Sequence, residues 1–269
     1  MKNPHIKVFA RPFSKGRVSP RPPRALITGS SRGIGSAIAE ELARSGADVI
    51  ISYCGNREAA ERTAAKINGD RGAECAHIEQ ADLSKPEETR ALAGRGLEKF
   101  GGVDILVSNA SMQYREKWEN ITEEQYLTQM NCNFYSALLL IQAFVPGMRE
   151  KGWGRIVTVG SVQEKKPHPD MLIYSSSKAA QENMVRSLAL QLAGDGITVN
   201  NVCPGVIYTD RNTEALSDPE YAAKVTSQIP MLRYGEKEEC APIVRLLCSD
   251  EGAYITGQSI YVDGGKSIQ

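Results

Sequence analysis

Seven short, mostly apolar runs recur along the chain, at residues 25–28, 49–51, 75–78, 105–107, 156–159, 197–203 and 259–262, separated by stretches of other periodicity. A strand with one wet face alternates apolar and polar side chains. A strand apolar at successive positions is covered on both faces, which is the condition of a parallel sheet. The intervening segments read as helices over residues 35–45, 57–67, 86–100 and 175–193, with Pro86 suited to a first helical turn. Residues 123–149 read as one long helix or a broken pair, and 205–248 as a less regular region. Repeated strand–helix units with right-handed crossovers predict an α/β fold, a doubly wound parallel sheet of about seven strands with helices on both faces. A length of 269 residues suits a single core of that kind.

Composition narrows the function classes. The chain carries 32 basic and 32 acidic residues, so it lacks the general basic footprint of a nucleic-acid binder. Its 41% hydrophobic and 24% charged content is that of a globular protein. The longest apolar run, 137–145, is interrupted by Gln142 and falls short of the roughly 20 residues a membrane span needs. With no apolar leader segment, a cytoplasmic location is expected. Cys54, Cys75, Cys132, Cys203, Cys240 and Cys248 form no C-x-x-C pair and read as reduced, mostly buried thiols. His5, His77 and His168 lie far apart, so no metal site is expected. Residues 1–24 hold seven lysines and arginines, five prolines and no acid, and read as a flexible basic extension before a domain over 25–269. The prolines argue against an amphipathic targeting helix there.

The first apolar run leads into Thr28-Gly29-Ser30-Ser31-Arg32-Gly33-Ile34-Gly35 and then a helix. Glycines allow a tight turn and close approach of a pyrophosphate, and the helix N-terminus offers free N–H groups to the anion. A strand before and a helix after make this a Rossmann-type dinucleotide turn rather than a chance triplet. An NAD enzyme commonly places an acid about 20 residues on, to hold the ribose hydroxyls. Here the second run ends in Ser52-Tyr53-Cys54-Gly55-Asn56-Arg57, without an acid. Arg32 and Arg57 supply positive charge, and Ser52 and Asn56 neutral donors, so NADP(H) is expected over NAD.

Tyr174 and Lys178 are four residues apart on a predicted helix and share a face. A free tyrosine has a pKa of about 10, and a neighbouring ammonium favours its phenolate. Such a tyrosine can exchange a proton with an alcohol or a carbonyl. Ser161 ends the fifth run, at the edge where doubly wound sheets bind ligands.

With these motifs in place, residues 24–269 resemble the short-chain dehydrogenase/reductase family. T-G-x-x-x-G-x-G is residues 28–35; Asp82-Leu83 follows the third run; Asn109-Ala110-Ser111 stands for N-A-G; Asn133 lies in N-F-Y-S-A-L. Ser161 closes G-R-I-V-T-V-G-S, Y-x-x-x-K spans 174–178, and Pro204-Gly205 follows the sixth run. The resemblance implies that Tyr174 is the acid/base, that Lys178 tunes it and holds the nicotinamide ribose, and that Ser161 binds the substrate oxygen. It further implies that Asn133 supports a proton relay. The cofactor would touch Gly29, Ser31, Arg32, Gly33, Ile34, Gly35, Ser52, Asn56, Arg57, Asp82, Leu83, Asn109, Ala110, Pro204, Gly205, Ile207 and Thr209. Two departures stand out: Ser111 replaces a glycine, and Gly160 stands where many members carry a second serine.

The pattern is similar both to 3-oxoacyl-carrier-protein reductases and to bacterial sugar or polyol dehydrogenases, and it leaves the small-molecule substrate open. Gln113, Gln163, His168, Met171 and Tyr208 are the expected substrate wall, a polar set. A non-catalytic NADP-sensing regulator on the same fold is the competing class. The resemblance implies a homotetramer. Apolar residues beyond one sheet-facing stripe support this: Leu138, Leu139, Leu140, Ile141, Phe144 and Val145 on one helix, Met184, Val185, Leu188, Leu190 and Leu192 on another.

Overall fold

A computed structural model describes residues 22–210, 213 and 217–269. Most of the basic N-terminal segment, residues 1–21, therefore lies outside the described residues, and so does the expectation that it is a flexible extension. The strands are β1 (Arg24–Ile27), β2 (Asp48–Tyr53), β3 (Ala76–Gln80), β4 (Ile105–Ser108), β5 (Gly154–Val159), β6 (Ile197–Pro204), β7 (Ile207–Tyr208), β8 (Gly235–Glu236) and β9 (Ser259–Val262). Seven of them form one parallel sheet in the order β3-β2-β1-β4-β5-β6-β9. The two-residue strands β7 and β8 make a separate small parallel pair.

The register explains why the strands read as apolar runs. Ile50, Leu26, Leu106, Ile156 and Val199 are successive partners across five strands. All five face one core layer, packed against Leu92, Leu140, Phe144, Met184 and Val185. The next residues along, Ile51, Ile27, Val107 and Val157, face the opposite layer with Ile38, Leu42, Val244 and Leu247. Since successive Cβ atoms point to opposite faces, two covered faces demand two apolar sets. The first layer belongs to helices α3 (Pro86–Glu98), α5 (Ser136–Lys151) and α6 (Leu172–Leu192). The second belongs to α1 (Gly33–Arg44), α2 (Arg57–Arg71) and α8 (Lys237–Cys248).

Residues 123–151 form one continuous helical run rather than a broken pair. α4 (Glu123–Met130) passes through a π-helical turn, Asn131–Tyr135, into α5. Thr122 caps α4 with a capping box closed by Gln125. Among its described residues the less regular region holds the helices α7 (Pro219–Ser227) and α8. Asp218 caps α7, and Cys240, Val244, Leu247 and Cys248 bury one face of α8.

The surplus apolar faces on α5 and α6 are absorbed within the subunit. Leu139, Leu140, Ile141, Phe144, Val145, Met184, Val185 and Leu192 are buried, and Leu138 and Leu188 pack on the same core. Of that set Leu190 alone is open to solvent, at 88%. α5 meets α3 as well as the sheet, and α6 meets α4 as well as the sheet, so each needs a wider apolar stripe than a helix covering the sheet alone. Among the described residues no helix is long and apolar enough to cross a membrane.

Candidate active site

Strand order reverses on the two sides of β1, since β2 and β3 lie on one side and β4, β5 and β6 on the other. The crevice at the carboxyl ends of the strands at such a reversal is where doubly wound sheets take ligands. A cavity of about 870 Å³ opens there.

Its floor is the turn after β1. Gly29 and Gly33 adopt the left-handed conformation, at φ of 62° and 61°. A Cβ on Gly35 would lie 2.5 Å from the Gly29 carbonyl oxygen and 2.6 Å from Asn109 Nδ2. The turn is tied to the end of β4 from both sides. Thr28 Oγ1 accepts the backbone N–H groups of Asn109 and Ala110, both at 2.9 Å. Asn109 Nδ2 donates to the carbonyls of Thr28 and Gly29 at 2.9 and 3.0 Å.

Three observations fit this floor to a dinucleotide. The residue preceding α1, Arg32, gives it no side-chain cap, so the first-turn N–H groups keep the anion-binding character of a helix start. Gly29 and Gly35 let the turn close tightly on Ala110 and Asn109 as a backbone cradle with no room for a Cβ. At the end of β2, Ser52 is fully buried and its Oγ has no partner, a costly arrangement that a ligand acceptor would relieve.

Along the β2 side the lining is Ser52, Tyr53, Cys54, Gly55 and Asn56, with Arg32 opposite and Asp82 and Leu83 beyond. Asn56 Oδ1 also caps α2 by accepting Ala59 N–H at 2.9 Å. Arg32 makes a 3.6 Å ion pair with Asp210, both largely exposed. Arg57 is outside the lining. Its guanidinium turns along α2 to Glu61, 2.7 Å away, as an i,i+4 pair. Arg57 is therefore placed on the exposed side of α2, paired with Glu61.

The opposite wall is built by β5 and α6. Tyr174 and Ser161 line the cavity. Helix α6 begins at Leu172, earlier than the sequence spacing suggests, which brings Tyr174 into its first turn. Lys178 lies behind this wall rather than in it, 1% exposed. Its ammonium donates to the Val159 carbonyl at 2.7 Å and to Gln181 Oε1 at 3.2 Å, and stands 5.8 Å from the centroid of the Tyr174 ring. A buried cation held this way raises the local potential at the tyrosine. Asn133, on the π-helical turn, also sits behind the wall. Its Oδ1 accepts Met112 N–H at 2.7 Å, and its Nδ2 donates to Met112 O at 2.9 Å and Ser177 Oγ at 3.0 Å. Ser177 in turn donates to the Tyr174 carbonyl at 2.7 Å. The Asn133 side chain is therefore a brace between the loop after β4 and α6.

Ser161 starts a short turn, Val162–Glu164, by accepting the Gln163 N–H at 3.1 Å. Beneath it sits Glu164, whose Oε1 accepts the Ser161 N–H at 3.1 Å. The same carboxylate takes Asn201 Nδ2 at 3.1 and 3.0 Å and the Cys203 thiol at 3.2 Å. Burial pushes the Glu164 carboxyl up, and these hydrogen bonds and the Lys178 charge only partly oppose it. Desolvation, with Glu164 alongside, also raises the Cys203 thiol.

Residues 29–267 match the family model described as Enoyl-(Acyl carrier protein) reductase. The chain is 37% identical over 250 residues to glucose 1-dehydrogenase of Gluconobacter oxydans, covering 91% of this chain and 92% of that protein. It is 36% identical over 241 residues to the 3-oxoacyl-[acyl-carrier-protein] reductase FabG of Staphylococcus aureus, covering 90% and 96%. The structure of a 3-oxoacyl (acyl-carrier-protein) reductase from Agrobacterium tumefaciens C58 with NADP bound superimposes with a TM-score of 0.85 at 34% identity, over 91% of this chain and 94% of that one.

The chain belongs to the short-chain dehydrogenase/reductase family. It is an oxidoreductase of that family, similar both to carrier-protein reductases and to sugar dehydrogenases.

In this short-chain dehydrogenase/reductase the remaining sequence-named residues divide cleanly. Gly29, Ser31, Gly33, Ile34, Gly35, Asn109, Ala110, Pro204, Gly205, Ile207 and Thr209 line the cavity, as do Gln113, Gln163, His168 and Met171. Tyr208 does not. It is 39% exposed and stacks on Tyr234, ring centroids 5.6 Å apart, because alternation along β7 turns it away while Ile207 and Thr209 face in. Thr28, read in the sequence only as the start of the glycine motif, clamps the turn, and sequence reasoning misses a set of lining cations, Arg115, Lys166, Lys224 and Lys266. Thr28 carries a signal in its place beside Gly29. The cations carry none, since they come from four distant segments.

Proposed function

We propose that the protein is an NADP(H)-dependent oxidoreductase that interconverts a ketone and a secondary alcohol, with Tyr174 as the acid/base. The observation that carries this reading is the buried Lys178 ammonium behind Tyr174, with Ser161 beside it on the same cavity wall. The cofactor would lie across the Gly29–Gly35 turn, with its adenosine end toward Ser52, Asn56 and Asp82 and its nicotinamide end toward Tyr174 and Thr209. When bound, it supplies or accepts the hydride. Tyr174 gives a proton to the carbonyl oxygen in reduction and takes it back in oxidation, and Lys178 favours the phenolate that results. Ser161 holds the same oxygen. Asn133 keeps α6 in place through Ser177. The acid-free end of β2 and the nearby Arg32 support NADP over NAD. A charge-assisted hydrogen bond to the extra phosphate is worth about 1.5–3 kcal/mol.

The substrate is read as that of a 3-oxoacyl-carrier-protein-reductase-like enzyme or of a sugar or polyol dehydrogenase. A screen of NADPH oxidation against ketones, paired with NADP reduction by sugars and polyols, tests the reading. Turnover that falls by about 10²–10⁴-fold in Tyr174→Phe while cofactor affinity holds is the expected result. Activity within a few-fold of the parent, or equal affinity for NAD, would refute it.

A further inference from the structure

Beyond Ser161 and Tyr174 the cavity is lined by four cations from four parts of the chain. Arg115 follows β4, Lys166 follows the Val162–Glu164 turn, Lys224 lies on α7, and Lys266 follows β9. Three of them, Arg115, Lys224 and Lys266, lie near Tyr221, itself in the lining. The Arg115 guanidinium donates to Tyr221 Oη at 3.4 Å. Lys224 is three residues from Tyr221 on α7, hence on the same face. Lys266 lies within the field of Tyr221 and of Lys166.

Carboxylates offset this wall only in part, since Asp263 acts on Lys266 but forms no ion pair with it. Asp210 is paired with Arg32, and Asp82 lines the β2 side. Asp263 accepts the backbone N–H groups of Gly265 and Ser267. Asp170 remains, on the loop beside His168. Lys166 meets the Gln269 backbone oxygen. Among the described residues Arg115, Lys224 and Lys266 have no carboxylate within ion-pair distance. Burial, then Lys166, lowers the Lys266 ammonium, and Asp263 and Tyr221 oppose this only in part.

We propose that this wall binds an anionic group, a carboxylate or a phosphate ester, carried by the small-molecule substrate at the end remote from its reacting carbon. The inference rests on reading the same cavity as the oxidoreductase site. Its cations line a cavity and Lys266 is half-buried, which fits a small acid entering the site.

The test is calorimetric titration of the NADP-saturated protein, so that phosphate-binding groups at the glycine turn are already engaged. Two matched pairs serve as probes: D-gluconate against D-gluconamide, and glucose 6-phosphate against glucose. The charged member of at least one pair should bind about tenfold tighter, the worth of one charge-assisted hydrogen bond. The pair that discriminates tells carboxylate from phosphate. Lys266→Met and Arg115→Gln should each reduce the preference, and added salt should weaken it. Equal binding within both pairs, or a preference untouched by either substitution, would overturn the inference. Ketone reduction is measured on the same preparation. Reduction without anion preference removes the inference and leaves the function standing. Anion preference without any reduction does the reverse.

Discussion

Gly160 immediately precedes Ser161, and a Cβ built on it would overlap Glu164 Oε1 and lie 2.7 and 2.8 Å from Oδ1 and Nδ2 of Asn201. Its backbone is not in the left-handed region, so the constraint is space alone. In Gly160→Ser the carboxylate must leave its slot, stripping the acceptor from the Ser161 N–H and the Cys203 thiol. Overpacking costs about 1–3 kcal/mol, and each buried donor left unmatched about 1–3 kcal/mol. A loss of at least about 3 kcal/mol follows, read as a lower midpoint in urea unfolding. Glu164→Ala empties the same slot. The double variant Gly160→Ser, Glu164→Ala should therefore be less destabilised than the sum of the singles by about 2 kcal/mol, within the range for contacting residues. Strictly additive costs, or a Gly160→Ser protein as stable as the parent, would refute the steric reading.

Three further outcomes follow from the same geometry. Glu164 has a folded pKa raised above its ordinary value of 4.5, so the native state holds a proton that the unfolded chain has lost. Stability should fall as pH rises from 4.5 through the folded pKa and then level off, and Glu164→Gln should remove that slope in urea titrations across the window. Gly35→Ala should abolish NADPH binding, measured by fluorescence, because its methyl would strike the Gly29 carbonyl and Asn109; retained affinity would contradict the cradle. A homotetramer is proposed from the family resemblance, with Trp118, Tyr126 and Leu127 exposed on the surface, and light scattering returning a monomer mass would reject it.

The sheet is legible in the sequence because its strands are covered twice, which leaves an apolar run at each one. The glycine turn is legible for a similar reason, since few other residues fit it. Helix α8 is harder to read although Cys240, Val244 and Leu247 carry a helical period, because Pro242 lies inside it. Arg57 shows in the sequence as a charge near the end of β2, but its pairing with Glu61 competes with the cavity for the same side chain. Tyr174 and Lys178 show as one pair on one face, but their division into a wall residue and a buried one depends on packing against Val159 and Gln181. The cation wall has no local pattern, because its members meet only when loops from four segments converge.

The π-helical turn at Asn131–Tyr135 sets the phase of two helices that otherwise look like one. Each residue of an α-helix advances the side chains by about 100°. A π-helical turn closes i→i+5 instead of i→i+4, so Asn131–Tyr135 take up one extra residue in a widened turn while the α-helical stretches on either side keep their alignment. Leu140, Phe144 and Met148 hold α5 fixed in the core, and the widened turn carries Asn133 to its partners Met112 and Ser177. The extra residue acts as a gear tooth: it lets the sequence on the two sides of the turn follow different hydrophobic phases along a single rod, and a one-residue deletion would remove the turn that presents Asn133 while leaving the fold assembled.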